Sequence, residues 1–127
     1  MSRILLIDRD PHVRYLADQY LRGEGHQVEA IDDGLSALER LRQESFALVL
    51  SEILLPKLDG LALCRRIKNE HPQLGVIILS MLASAGRAQE AGADAFLRKP
   101  IVRGSLLSTV QGVLGRAPAV SLSETQP

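Results

Sequence analysis

Ile4-Leu5-Leu6-Ile7-Asp8-Arg9-Asp10-Pro11 is the stretch whose reading decides the fold. An aliphatic run this short, with no polar gap, describes a strand buried on both faces, as in parallel α/β sheets. The acids that follow end it at once. Asp10-Pro11 then reads as a helix start: Asp caps free backbone N–H groups, and Pro suits the first helical position, where its missing N–H has no partner to lose. A strand followed directly by a helix is one β-α unit.

The unit recurs along the chain. Further apolar runs occur at Val28–Ile31, Ala47–Leu50, Val76–Leu79 and Ala95–Leu97, each bounded by polar or turn residues. Between them lie segments of helical spacing. Val13, Leu16, Ala17, Tyr20 and Leu21 belong to the first, which Gly23 and Gly25 end. Leu35, Leu38 and Leu41 follow a capping Asp33, and Leu61, Leu63, Cys64 and Ile67 follow Asp59-Gly60 and stop near His71-Pro72. A short, weakly amphipathic segment covers Ala83–Ala91, and Leu106, Leu107, Val110, Val113 and Leu114 mark the last. Five β-α units in succession imply a doubly wound α/β fold: a five-stranded parallel sheet with helices on both faces and right-handed crossovers. Residues 1–115 form that domain, and the composition shift at 116–127 reads as a flexible tail or the start of a linker.

Composition narrows the function. Hydrophobic residues make up 46% of the 127 and aromatics only 3%, which requires an aliphatic core. Fifteen Lys plus Arg balance fifteen Asp plus Glu, so no general field draws the domain to nucleic acid or anionic lipid. No apolar run approaches the roughly 20 residues of a membrane span, and Met1-Ser2-Arg3 opens no signal peptide, so a cytoplasmic location is expected. Cys64 lies among apolar neighbours and reads as a core residue. His12, His26 and His71 are scattered without metal-site spacing and read as surface or helix-end residues.

In an open parallel sheet, ligands meet the carboxyl ends of the strands. There the sequence places Asp8, Arg9 and Asp10, then Ser51 and Glu52, then Ser80, then Arg98, Lys99 and Pro100. Acids, a hydroxyl and a lysine on one edge form a phosphate or metal constellation in type.

From Arg3 to about Leu114 these residues, with Asp59-Gly60, Ala91-Gly92-Ala93-Asp94-Ala95-Phe96-Leu97 and Lys99-Pro100, resemble a response-regulator receiver domain. The resemblance implies a flavodoxin-like (βα)5 fold with strand order 2-1-3-4-5. It also implies an acidic pair for Mg²⁺ after the first strand and a phosphoacceptor Asp after the third. Ser80 and Lys99 match its phosphoryl contacts, Phe96 its switch aromatic and Asp8 the first acid of the pair. The Lys99–Pro100 bond matches one that the family keeps cis.

Two positions depart from that pattern: Arg9 stands for the second acid and Glu52 for the phosphoacceptor Asp. Guanidinium in place of carboxylate removes a metal ligand and adds a positive charge, while Asp10 is committed as a cap; Mg²⁺ binding is expected to be lost. Glu52 carries its carboxylate one methylene further, and a misplacement near 1 Å costs about 100-fold in transfer. Ser80 and Lys99 are also only 19 positions apart, which shortens the helix between them. The expectation is a pseudo-receiver and not an enzyme. Asp8 and Glu52 would balance Lys99 and Arg9, with Glu52 reaching Lys99 or Ser80 and Arg9 replacing the metal cation. Such a domain signals through a protein partner or as a homodimer, using the face of the fourth helix, fifth strand and fifth helix beside Phe96, Arg98 and Arg103, without touching DNA. The competing expectation is a working receiver of a two-component system, phosphorylated at Glu52 or a neighbour.

Overall fold

The computed structural model describes residues 2–116 and realises the expected alternation. In chain order the elements are β1 (Arg3–Ile7), α1 (Pro11–Gly23), β2 (Gln27–Ile31), α2 (Gly34–Gln43), β3 (Leu48–Ser51), α3 (Gly60–Glu70), β4 (Gly75–Ser80), α4 (Ala85–Glu90), β5 (Ala95–Arg98) and α5 (Arg103–Leu114). All strand pairs are parallel, in the order β2-β1-β3-β4-β5. The fold class and strand order expected from the sequence are those observed. The expected tail lies outside the described residues beyond Arg116, whose guanidinium donates to the Asp94 carboxylate and carbonyl at 2.7 and 2.9 Å.

Each short apolar run serves both faces because successive side chains point oppositely. Leu5, Ile7, Val49, Val76 and Ile78 meet α2, α3 and α4 through Leu38, Leu63, Ile67 and Ala88. Ile4, Leu6, Leu48, Leu50, Ile77 and Leu79 meet α1 and α5 through Ala17, Leu21, Leu106 and Val110. Cys64 is buried in the first of these layers, and burial pushes its thiol up to about 11, as an inert core residue requires. No helix among the described residues is long and apolar enough to cross a membrane.

The caps read from sequence are made. Asp10 accepts from the amide of His12, Asp33 from Ser36, and Asp59 from both Leu61 and Ala62. The weak fourth segment shrinks to six residues, and Ser84 at its start makes no side-chain cap bond. His71 caps the end of α3, but its Nε2 is buried without a hydrogen-bond partner, so it is less a surface residue than its spacing implied.

Two glycines bring the β3–α3 connection tight against its surroundings. A Cβ on Gly60 would sit 1.9 Å from the carbonyl oxygen of Glu52, and one on Gly34 would sit 2.0 Å from that of Leu58. Between them Lys57 adopts a left-handed φ of 72°, an uncommon conformation for a side-chain-bearing residue. The loop leaving Glu52 is thereby pressed back toward the strand it came from. Gly60→Ala forces backbone apart at this point and is expected to cost about 2–4 kcal/mol in urea unfolding; a stability equal to the parent protein would show that the loop yields freely.

Candidate functional site

The strand ends assemble the site. Parallel register aligns the ends of β1, β3, β4 and β5 on one edge, so residues far apart in sequence meet there. Asp8 follows β1, Glu52 follows β3, Ser80 ends β4 and Lys99 follows β5. Asp8, Glu52 and Ser80 are 1%, 5% and 0% exposed, so their polar groups need partners within the protein.

They have them. The Lys99 ammonium lies 2.7 Å from Asp8 Oδ2 and 2.8 Å from Glu52 Oε1, bridging the two carboxylates. Glu52 Oε2 accepts from the Ser80 hydroxyl, from the Ile53 amide and, at 3.0 Å, from the Leu54 amide. Asp8 Oδ1 accepts from the Asp10 amide at 2.9 Å. Burial opposes ionisation of Glu52, but the hydrogen bonds from Lys99, Ser80 and Leu54 outweigh it and hold the carboxyl below its ordinary range. Burial likewise works against a charged Lys99, yet its bonds to Asp8 and Glu52 raise its pKa above the ordinary value.

The expected balance of charges is corrected in one respect. Arg9 is exposed and makes no ion pair among the described residues. Consecutive residues at a strand end point opposite ways, so with Asp8 turned inward Arg9 faces solvent. The buried set is therefore two carboxylates and one ammonium, a sum of −1, and backbone N–H groups and a hydroxyl offset the excess. Lys99, not Arg9, occupies the cationic place between the acids.

Asp10 remains outside the cluster as the exposed cap of α1, and Phe96 is half-buried opposite Ile78, packed on the α2–α4 side of the sheet. Pro100 follows a cis bond, as the family resemblance implied, and is exposed. Sequence reading missed Arg14, whose guanidinium donates to the Asp8 carbonyl at 2.6 Å, and the Ile53 and Leu54 amides. A cation one turn into the helix that follows Asp8 was the available signal for Arg14. Backbone donors have none.

The receiver resemblance implies Mg²⁺ among these acids, and the donor set present does not fit it. All four carboxylate oxygens of Asp8 and Glu52 already accept hydrogen bonds, and an ammonium stands where a metal would need open oxygens. Among the described residues no group of three or more His, Cys, Asp or Glu is arranged to hold a metal ion.

Comparison with known proteins identifies the family and the fold of the chain. The family described as Response regulator receiver domain matches residues 4–111. The transcriptional regulatory protein CseB of Streptomyces coelicolor is 36% identical over 118 residues, which are 91% of this chain and 50% of that protein. The crystal structure of a putative response regulator from Chloroflexus aurantiacus superposes with a TM-score of 0.87 at 28% identity, covering 91% of this chain and 98% of that one. The BeF3-activated DrrB receiver domain gives 0.84 at 30% identity, covering 91% and 99%. The chain spans between 13% and 55% of the length of three curated relatives that it matches.

Two outcomes follow from the cluster. Lys99→Met leaves two buried carboxylates uncompensated and is expected to cost about 3–5 kcal/mol, whereas Arg9→Ala should stay within about 0.5 kcal/mol; denaturant melts of both variants check the correction made above. The pH dependence has a defined sign. Glu52 is held below its ordinary value of 4.5, so its contribution is complete above that pH and disappears as pH falls through the lowered folded value. Glu52→Gln should therefore show a shallower loss of stability below about pH 4.5 than the parent protein, measured by thermal melts across the acid range.

Proposed function

The chain belongs to the response-regulator receiver domain family, and from that premise we propose that it is a pseudo-receiver, a protein-interaction module that signals without being phosphorylated. Receiver domains of response regulators are signalling modules of two-component systems that act on effector domains or other proteins.

The carrying observation is the state of the Glu52 carboxylate. It is already bonded to Ser80 and Lys99, the residues matched to the family's phosphoryl contacts, as well as to two amides of its own loop. An attacking oxygen must be free, in line and at about 3–3.5 Å. Glu52 Oε1 faces an ammonium and Oε2 faces three donors, so nucleophilic attack would first have to dismantle a buried network. Phosphoryl transfer also relies on a cation that neutralises the moving group, and the arrangement of Asp8, exposed Arg9 and capping Asp10 opposes metal binding. Glu52 thus acts as an internal substitute for the ligand that Ser80 and Lys99 would otherwise meet. Asp8 holds Lys99 in place, and Phe96 and Pro100 retain their family positions beside a site that no longer changes state.

In this reading the fixed domain presents one surface to its partner. The face of α4, β5 and α5 serves association with a protein partner or a second copy, with residues 1–115 as the folded unit and the remainder as tail or linker. No direct contact with nucleic acid is assigned to this domain.

The test is an amide NMR titration with Mg²⁺ followed by beryllofluoride, the mimic carried by the DrrB receiver described above. Unmoved signals for Asp8, Glu52, Ser80, Phe96 and Lys99 are expected. Saturable shifts spreading from Glu52 to Phe96 would defeat the proposal and establish a working phosphoacceptor.

A further inference from the structure

The outer side of α3 plays no part in the buried cluster. Leu58, Ala62, Arg65, Arg66 and Asn69 line a groove there of about 500 Å³. They recur at steps of three or four residues, so they share one side of the chain as it enters and follows the helix, away from the buried Leu63, Cys64 and Ile67. Ala62 is the smallest of the five and lets a neighbour approach the helix closely. Arg65 and Arg66, about 100° apart around the axis, stand to either side of the line from Ala62 to Asn69.

The groove opens at one end onto the β3–α3 loop, and that end is apolar. Leu58 is half-buried, and Leu54 is 53% exposed. The Leu58 backbone sits against Gly34, and the residue after Gly34, Leu35, is 50% exposed. Apolar groups gathered within a charged rim mark protein contact sites. The loop is held in place from below. Its first two amides bond to Glu52, and the Leu58 and Gly60 amides bond to the Pro56 and Ile53 carbonyls at 2.8 and 2.7 Å. A surface fixed in advance loses little entropy when a partner settles on it.

The rim is positive. Arg65 makes no hydrogen bond or ion pair among the described residues, and Arg66 has only a 3.4 Å contact with Glu70. Lys57 approaches Asp33 no nearer than 4.0 Å, and that carboxylate is already taken by the amide and hydroxyl of Ser36. Asp59 is likewise committed to the Leu61 and Ala62 amides. All three cations are exposed, a local excess in a chain whose charges balance overall.

We propose that the outer side of α3 docks a helix of a partner protein that carries an apolar stripe flanked by carboxylates. The apolar stripe lies along Leu58 and Ala62, with Leu35 and Leu54 at its end. The carboxylates meet Lys57, Arg65 and Arg66. Charge complementarity selects an acidic helix over a neutral or basic one. The surface includes no part of α4, β5 or α5, and its assignment rests on the reading of the chain as an interaction module.

The full chain is titrated with three amphipathic peptides of about 15 residues, with leucines at helical spacing and Glu, Gln or Lys between them. The Glu peptide is expected to shift the amides of Leu35, Leu54, Lys57 and Ala62 to Asn69, and to bind more weakly as salt rises. Two variants separate docking from folding. Arg65→Glu breaks no bond within the described residues, and Ala62→Gln fills the groove with a residue that favours helix. Both should keep the parent's thermal midpoint within a few degrees while affinity for the Glu peptide falls about tenfold.

Equal affinity for all three peptides, shifts confined to another surface, or undiminished binding by both variants would overturn the proposal. So would the same amides shifting on concentration alone, which would make a second copy the occupant. Beryllofluoride added to the same samples reads the cluster independently. An inert cluster without peptide binding defeats the docking site alone; a responsive cluster with selective Glu-peptide binding defeats only the pseudo-receiver reading.

Discussion

A single ammonium between two buried carboxylates sets the terms for the rest of this structure. Lys99 contacts Asp8 and Glu52 at once, and among the described residues neither carboxylate makes another ion pair. A buried charge is tolerated only when paired and hydrogen-bonded, so the remaining negative charge obliges nearby donors to turn inward. The amides of Asp10, Ile53 and Leu54 and the hydroxyl of Ser80 answer that demand. Four strand ends and two loops are thereby tied to one small volume.

The backbone is shaped to supply those donors. Gly60 lets α3 start against the Glu52 carbonyl, Gly34 lets α2 start against Leu58, and Lys57 takes a left-handed turn between them. The loop consequently doubles back, and its first two amides reach the carboxylate of the residue before them. A shorter acid at position 52 would hold its oxygens nearer the strand, whereas the extra methylene of Glu spans the distance to both Ser80 and Lys99. Glu52 therefore bonds both residues that the family resemblance matches to phosphoryl contacts.

The electrostatic character of the cluster and of the outer side of α3 differs for a physical reason. Around Lys99 every charge is buried and answered. Beyond the loop that leaves Glu52, the arginines face water and the apolar groups stand exposed. An internally satisfied site has little to offer a ligand, while an unsatisfied one beside it does.

Much of this was legible in the sequence. Short aliphatic runs, the Asp caps at 10, 33 and 59, and glycines after the first helix placed the elements to within a residue or two, because these signals act over three or four positions. The site residues Asp8, Glu52, Ser80 and Lys99 were also legible, since parallel strands must end on a common edge. What tertiary structure alone decided was who pairs with whom. Glu52 meets Ser80 across 28 positions and Lys99 across 47, and Lys99 meets Asp8 across 91. Charge counting treated Arg9 and Lys99 alike, but the direction of a side chain at a strand end sent one to solvent and left the other in the core. Backbone amides, identical in every residue, carry no sequence signal, and only the folded loop could aim those of Ile53 and Leu54 at a carboxylate.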